Sequence, residues 1–349
     1  MRDYSLENIL KITKERKPDF NNLLAVLNKK APSRPTLFEF FLNYELEKRI
    51  VETAEQKESQ YDYYRQVIMS CRYAGYDYAQ MQASYFGFKT NEIHVKASVS
   101  ANDGSIIHDR ESFEAYEWIN PRDVYDGRLE EMEKFLPDGM KLIIASNGGV
   151  LENVIKLIGF DNLCYMLADD SELFKMIVDK VGQSLFDYYE QIVGHDCVGA
   201  IISNDDWGFN TQTMMSPNDM RKYIFPWHKK IVALAHNAGK PAILHSCGNL
   251  ETVYDDIIND MKFDGKHSYE DNIQPVEEAY DMLKGRIAVL GGIDMDFVCR
   301  KPQNEIFDRC TAMIKRTNCE GYALGTGNSI PAYLPDENYF AMISSVLTY

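Results

Sequence analysis

The runs VGAIISND at residues 198–205 and KPAILHSCGN at residues 240–249 decide the fold class. Each is a short, β-rich apolar stretch that ends in polar residues, and an amphipathic helical stretch lies between them. The same pattern recurs along the chain, with further runs at residues 35–43, 76–85, 141–147, 263–267, 286–292 and 321–326. Strands that alternate with helices are typical of parallel α/β folds. Eight such runs predict a (β/α)8 TIM barrel.

One domain of residues 1–349 is the simplest organisation, because the chain has no linker, low-complexity stretch or short-period repeat. We expect residues 1–34 to form N-terminal helices that cap the bottom of the barrel. At residues 91–110, apolar runs flank Asn-Asp-Gly, which predicts a hairpin insertion after the second strand. The alternative is a doubly wound open sheet, which the count of eight and the missing G-x-G-x-x-G after the first strand disfavour.

Charge and cysteine usage narrow the class of protein. The 349 residues include 37 basic and 53 acidic side chains, a formal charge of −16, which argues against nucleic acid or an anionic membrane as a partner. The first residues lack the apolar run of a signal peptide, and no segment reaches the roughly 18 apolar residues of a membrane span. Seven cysteines form an odd set without disulfide-framework spacing, so we expect a reducing, cytoplasmic location.

Polar residues follow the predicted strands, at the end of a barrel where active sites are built. We expect Glu39, Asn204 and Asp205 to act in catalysis. A carboxylate such as Glu39 is costly to bury in a barrel without a partner, which favours a role in the site. The residues predicted to bind substrate are Asn43, Gln82, Asn147, Asp294 and Asn328.

Asp205 and Asp206 are adjacent carboxylates at the end of one predicted strand. Neighbouring residues of a strand face opposite sides, so we expect only one of the two to point into the site. The other would cap the following turn. For Asp205, a role as general acid or base and a structural role both stay open.

His245 and Cys247 form the sharpest local feature of the sequence. The two-residue period of a strand places both side chains on the same side, and imidazole and thiolate are good zinc ligands. Two ligands do not complete a site, so the others must come from neighbouring loops, with Glu270, His267 and Asp205 as candidates. In the alternative interpretation, the histidine hydrogen-bonds locally and the cysteine is buried and inert.

Longer motifs carry a resemblance to a known family. They are the stretch from AIISNDD to HSCGN at residues 200–249, HSYEDNIQPVEEAY at 267–280, RIAVLGGID at 286–294, and GTGNSIP with PDENY at 325–339. Together they resemble the uroporphyrinogen decarboxylase-like superfamily and, within it, the branch of corrinoid-dependent methyltransferases. The resemblance covers nearly the whole chain, and it implies a (β/α)8 barrel, in agreement with the strand count.

Resemblance to the methyltransferase branch implies a zinc site and a methyl transfer. In that branch zinc is held by His-x-Cys, matched here by His245 and Cys247, and by a later cysteine, where this chain has Thr326. Glu270 is our first choice to complete the site, and His267 is the second. Zinc would activate a nucleophile, and a methyl group would pass between a small substrate and a corrinoid on a carrier protein, in either direction.

Two other functions stay open. The superfamily also implies decarboxylation of a tetrapyrrole, but the first predicted strand, PTLFEFFLN, lacks the Arg-rich motif that holds the tetrapyrrole carboxylates in that family. A smaller carboxylate is the alternative substrate, with Asp205 or Glu39 handling the proton. The second open function is a non-catalytic barrel that binds a corrinoid or a partner protein. It is suggested by Thr326, which stands where the branch has a metal-binding cysteine.

Overall fold

The computed structural model describes residues 2–57, 62–91 and 100–349. The strands are β1 (Tyr78–Gln82), β2 (Lys141–Ala145), β3 (Val198–Asn204), β4 (Ala242–His245), β5 (Gly265–His267), β6 (Ala288–Leu290) and β7 (Tyr322–Ala323). The α-helices are α1 (Leu6–Thr13), α2 (Asn21–Leu27), α3 (Tyr44–Glu55), α4 (Tyr63–Ala74), α5 (Arg110–Ala115), α6 (Arg128–Glu133), α7 (Val150–Ile158), α8 (Phe160–Asp169), α9 (Ser171–Ile192), α10 (Pro217–Asp219), α11 (Phe225–Asn237), α12 (Val276–Leu283), α13 (Met295–Arg300), α14 (Gln303–Thr317) and α15 (Asp336–Leu347). Turns of 3₁₀ helix cover Pro121–Val124 and Glu251–Val253, and π-helical turns cover Met220–Ile224 and Asp256–Asp260. None of these helices is long and apolar enough to cross a membrane.

The strands form one parallel sheet in the order β1 to β7, within the part of the chain that the structure describes. Each strand pairs with its successor in the sequence, and helical segments lie in the connections. The strands are rich in apolar residues that are buried on both faces of the sheet; Leu142, Ile143 and Ile144 of β2, for example, are fully buried. Strands of this composition require cover on both faces, which the helices and the packed interior provide. The prediction of a parallel α/β fold is therefore confirmed.

The first predicted strand, residues 35–43, differs from the prediction. It joins β7 through one bridge, Leu37 to Leu324, and is not a ladder strand. On the side of β1, the phenol of Tyr78 takes the place of a ladder, because its oxygen accepts from the backbone N–H of Glu39 (2.8 Å) and donates to the carbonyl of the same residue (2.6 Å). The described chain therefore has a seven-stranded, TIM-barrel-like sheet, with this run in the eighth position.

Helix α2 and the segment before it cover the amino-terminal ends of the strands. A side-chain carbon added to Gly199, at the start of β3, would lie 2.5 Å from the ring of Phe20. One added to Gly265, at the start of β5, would lie 2.8 Å from Leu27. Because these approaches leave no room for a side chain, the glycines allow the N-terminal helices to pack closely, and the opposite end of the sheet is left for the site.

The predicted insertion lies partly outside the described residues, which exclude 92–99. Residues 101–104 form the expected turn, and the N–H of Asn91 donates to the carbonyl of Gly104 (3.0 Å). The second arm, residues 105–109, is not a strand. Its Ile106 and Ile107 N–H groups both donate to the carbonyl of Leu157, at the end of α7. Among the described residues, this arm is bound to the end of α7 and, through the carbonyl of Ser105, to the side chain of Asn91 (2.7 Å).

Candidate active site

The carboxyl ends of β3 and β4 bring together a carboxylate, an imidazole and a thiol. Asp206, His245 and Cys247 each present one ligand atom, and these atoms lie within 4.8 Å of one another. The Sγ of Cys247 is 3.8 Å from Nε2 of His245, and an oxygen of Asp206 is 4.0 Å from the same nitrogen. We call these three residues the triad. His245 and Cys247 thus face one site, while the carboxylate beside them is neither Glu270 nor Asp205.

Two loops in backbone contact position the triad. The N–H of Cys247 donates to Oδ1 of Asp206 (2.8 Å), and the N–H of Gly208 donates to the carbonyl of Cys247 (3.2 Å). Gly248 has a φ of +85°, and a side-chain carbon there would lie 2.2 Å from the carbonyl of Gly208. A glycine is required at this contact, which places Asp206 beside Cys247.

A relay of hydrogen bonds fixes the orientation of His245. Its Nδ1 lies 2.7 Å from Nδ1 of His267, and Nε2 of His267 lies 3.0 Å from the carbonyl of Thr326. A carbonyl only accepts, so His267 carries its proton on Nε2 and accepts from Nδ1 of His245. The lone pair of His245 Nε2 then points toward the other triad atoms. The ring of Phe40 stacks on His245 at 4.1 Å and holds its plane.

Burial keeps both histidines neutral. It lowers the pKa of His245 well below the ordinary value, and the neighbouring His267 and Lys266 lower it further. Burial also lowers the pKa of His267 to about 3. A neutral imidazole with a free Nε2 lone pair is the form that binds a metal.

The thiol of Cys247 lies among hydrogen-bond donors. Ser268 Oγ donates to its sulfur at 3.4 Å, and Asn328 Nδ2 donates at 3.7 Å. Burial, followed by the charge of Asp206, raises the pKa of Cys247 to about 12. Ser268 adopts a φ of +91°, which is strained for a residue with a side chain. Without a bound cation this cysteine is therefore a thiol, and its donors are arranged for a thiolate.

Lys266 is a buried cation near the triad that sequence reasoning missed. Its Nζ donates to the carbonyls of Ser268 (2.5 Å) and Ser246 (3.4 Å) and lies 4.2 Å from the ring centre of Tyr269. Burial lowers its pKa to about 8, although the charges of Cys247 and Asp206 oppose this shift. The available signal was a lysine inside the apolar run at residues 263–267, where a charged side chain needs partners.

Comparison with known proteins now identifies the family. A family model described as "Uroporphyrinogen decarboxylase (URO-D)" matches residues 130–349. The chain belongs to this family. The predicted resemblance to the superfamily is thereby confirmed.

Among solved structures, a "methyltransferase from Methanosarcina mazei" has the same fold as this URO-D family member. It aligns with a TM-score of 0.67 over 93% of this chain and 96% of the other, at 14% sequence identity. At this identity the likeness establishes the fold alone. No curated protein matches the chain by sequence.

Glu39 and Thr326 are hydrogen-bonded to each other at the position where the methyltransferase branch was expected to carry a cysteine. The N–H of Thr326 donates to one oxygen of Glu39 (2.7 Å), and Thr326 Oγ1 lies 2.6 Å from the other oxygen. The same hydroxyl is 2.6 Å from the carbonyl of Asn328, and it has one proton for two acceptors. Burial raises the pKa of Glu39 to about 8. Glu39 is therefore a carboxylic acid that donates to Thr326 Oγ1, which donates in turn to Asn328.

Asp205 is directed away from the triad, as strand alternation predicted for one of the two aspartates. Its carboxylate is fully buried and accepts from the N–H groups of Leu151 (3.0 Å) and Glu152 (2.8 Å) at the start of α7. His228 Nε2 lies 2.8 Å from the same carboxylate. The neighbouring Asn204 lies 3.4 Å from Glu152. Asp205 thus anchors a helix, and the structure does not bring Asp205 or Asn204 to the triad.

The other predicted residues fall into two groups. Asn43 and Asp294 cap α3 and α13, because their side chains accept from Leu46 N (3.0 Å) and Phe297 N (3.0 Å). The remaining residues face open space or solvent: Asn147 is exposed, Gln82 lines a cavity of about 370 Å³, and Glu270 and Asn328 line a wide cleft of about 1230 Å³, to which the capping residue Asp294 also contributes.

Proposed function

We propose that this URO-D family member is a methyltransferase that moves a methyl group between a small substrate and a corrinoid on a carrier protein. In this proposal, zinc is bound by Asp206, His245 and Cys247. The observation that carries it is the convergence of these three side chains at the carboxyl ends of β3 and β4. The structural relative from Methanosarcina mazei is a methyltransferase, which agrees with the proposal.

The triad fits a catalytic zinc ion in number, chemistry and spacing. Catalytic zinc sites commonly use three protein ligands of this kind and keep a fourth position open. In a tetrahedral site, the bond lengths to nitrogen, sulfur and oxygen place ligand atoms about 3.4–3.6 Å apart. The separations of 3.8 and 4.0 Å measured from His245 Nε2, and the 4.8 Å within which all three atoms lie, are longer than this, so the side chains would move closer together on binding the ion. Asp206 would then be the ligand that we expected Glu270 to provide.

Residues of this chain supply the remaining requirements of the site. When bound, zinc would act as a Lewis acid that favours the anionic form of a coordinated nucleophile. His267 holds His245 in the tautomer that presents Nε2, while Ser268 and Asn328 donate to the sulfur of Cys247. The ammonium group of Lys266 supports the negative charge of the thiolate and of Asp206.

The cleft beside the triad suits a large partner. It has a volume of about 1230 Å³ and includes Asn328, which contacts Cys247, together with Glu270 and Asp294. Because it is wide and open to solvent, a corrinoid presented by another protein is the occupant we propose.

Metal content and methyl transfer test the proposal on the same samples. We expect about one zinc per chain after native purification, and methyl transfer to or from a methylcorrinoid. Cys247→Ala should lose the metal, and its rate of methyl transfer should fall by more than about a hundredfold. Mutation of a residue that only hydrogen-bonds to a metal ligand already costs 10–100-fold in metal affinity or activity. Cys164→Ala, at an exposed cysteine, is the matched control and should change neither quantity.

A pair of variants decides which carboxylate is the third ligand. Asp206→Asn should abolish zinc binding, whereas Glu270→Gln should retain it. The opposite result would restore Glu270 to the ligand set. Absence of metal in the unmodified chain, even after zinc is offered, would refute the zinc mechanism.

Decarboxylation is the second candidate, favoured by the family match and by the neutral carboxylic acid of Glu39. Release of carbon dioxide from small carboxylic acids, lost in Glu39→Gln and unaffected in Cys247→Ala, would establish it over methyl transfer. Tight binding of a corrinoid without turnover of either kind would identify the chain as a non-catalytic binding barrel.

A further inference from the structure

A second cavity lies between α3, α4 and β1, at the side of the sheet where the first run meets β1 without a ladder. Its volume is about 370 Å³. Phe40 lines this cavity and also stacks on His245, so one aromatic ring separates the cavity from the triad. Most of the lining is aromatic, and the polar side chains of the lining are Glu39, Glu47, Gln80, Gln82 and Arg128 together with tyrosine hydroxyls.

Gln80 presents an unpartnered amide to this cavity. The residue is 6% exposed, and neither its amide nitrogen nor its amide oxygen has a hydrogen-bond partner. Buried side-chain amides are almost always hydrogen-bonded, so a ligand that reaches this amide would supply the partner it lacks within the chain. The ligand has a group that accepts from, or donates to, an amide.

Glu47 is the carboxyl group of the cavity wall that is available to pair with a cation. It is 6% exposed, and no residue in the described ranges forms a salt bridge with it. Burial raises its pKa to about 7 and a hydrogen bond with Gln66 opposes that shift, so a bound cation would favour the ionised carboxylate. Glu39 does not compete for this role, because Thr326 already occupies both of its oxygens. A buried carboxyl without a cation is most favourably completed by a ligand that carries one.

Aromatic side chains surround the entrance. Four of the nine large hydrophobic residues that are exposed in the described chain lie here: Phe41, Tyr44, Tyr63 and Tyr85. The rings already accept one cation, since the guanidinium of Arg128 lies 3.7 Å from the ring centre of Tyr85 and 5.6 Å from that of Tyr64. Asp126 neutralises that guanidinium through a 2.7 Å salt bridge. Arg128 is therefore already paired with Asp126 and forms no salt bridge with Glu47.

We propose that this cavity binds a small methylated ammonium ion, with its charge paired to Glu47, its methyl groups against the aromatic rings and a polar substituent on Gln80. Aromatic rings around a carboxylate are the arrangement that recognises quaternary ammonium groups. The proposal concerns binding. Identifying this ion as the methyl-bearing substrate rests on the proposed function, and the location of Phe40 between cavity and triad supports it.

Calorimetric titration with choline and its uncharged isostere 3,3-dimethyl-1-butanol tests the proposal on the full chain, with and without zinc. Choline should bind, and the isostere should bind at least about tenfold more weakly, because it lacks the charge that Glu47 and the rings recognise. Glu47→Gln and Gln80→Leu should each weaken choline binding about tenfold or more. Tyr165→Leu, at an exposed tyrosine on α8, is the control and should leave it unchanged.

The outcomes separate this proposal from the proposed function. Choline binding that survives in Cys247→Ala, with methyl transfer absent from every sample, would support the cavity and refute the methyltransferase. Equal affinity for choline and the alcohol, or tighter binding of the neutral ether anisole, would overturn the cation site. So would the absence of choline binding at millimolar concentration to protein whose circular dichroism shows that it is folded.

Discussion

Replacement of Glu39 by glutamine should stabilise the protein at neutral pH, because glutamine cannot ionise in this buried position. Glutamine reproduces the protonated acid: its oxygen accepts from the N–H of Thr326, and its amide donates to Oγ1 of Thr326, which then donates to the carbonyl of Asn328. In the wild type, the same contacts at 2.7, 2.6 and 2.6 Å require a proton on the carboxyl. The variant has that hydrogen already in place at every pH.

The magnitude follows from the pKa of Glu39, which burial raises from 4.5 to about 8. For an acid whose folded pKa lies above its unfolded value, the stabilising contribution is complete below the unfolded pKa and is lost as pH rises toward the folded one. Each pH unit inside this window changes the free energy of unfolding by about 1.4 kcal/mol. Between pH 5 and pH 7 the wild type should therefore lose about 3 kcal/mol that Glu39→Gln retains.

Urea unfolding followed by circular dichroism, at half-unit steps from pH 5 to pH 8, measures this difference. The free energy of unfolding of Glu39→Gln relative to wild type should rise steadily with pH. Glu278→Gln, at an exposed position on α12, is the matched control and should give a constant difference. A constant difference for Glu39→Gln too, or a variant that becomes relatively less stable as pH rises, would refute the protonated acid.

Three further predictions concern the triad and its supports. His267→Phe removes the acceptor that orients His245, so zinc affinity, measured by chelator competition, should fall 10–100-fold; an unchanged affinity would contradict the relay. Asp205→Asn leaves an N–H of α7 without its carboxylate, so urea unfolding should show a loss of about 3 kcal/mol while zinc is retained; loss of zinc at full stability would instead give Asp205 a role in the site. Gly248→Ala places a carbon 2.2 Å from the carbonyl of Gly208, so both zinc content and thermal stability should fall, and a variant with normal values of both would disprove the close contact.

The order of the strands could be predicted from the sequence because each apolar run is a local signal. Seven of the runs are strands at the expected places. The first run, residues 35–43, has the same composition but not the same structure, since the phenol of Tyr78 binds the backbone of Glu39 where a ladder was expected. That substitution depends on a contact between distant parts of the chain, which no local pattern records.

The site could be predicted only as far as spacing determines it. His245 and Cys247 lie two positions apart on one strand end, and the structure places both in the triad. Alternation showed that Asp205 and Asp206 must diverge, but not which one faces the site. That choice is made by α7, whose N–H groups bind Asp205. Lys266 was missed because its partners are backbone carbonyls that only the folded chain brings near.

The phenol that joins the first run to β1 also affects how the sheet opens. Between β1 and β2 and between β2 and β3, the strands pair over several residues in succession, and the backbone hydrogen bonds of such a ladder must break together. Between the first run and β1, a rotation of the Tyr78 side chain breaks its hydrogen bonds to both the N–H and the carbonyl of Glu39 at once. Amide hydrogens along this edge should therefore exchange with solvent through small local openings, well before those in the middle of the sheet. The sheet should therefore open first between the first run and β1, next to the wall of the 370 Å³ cavity.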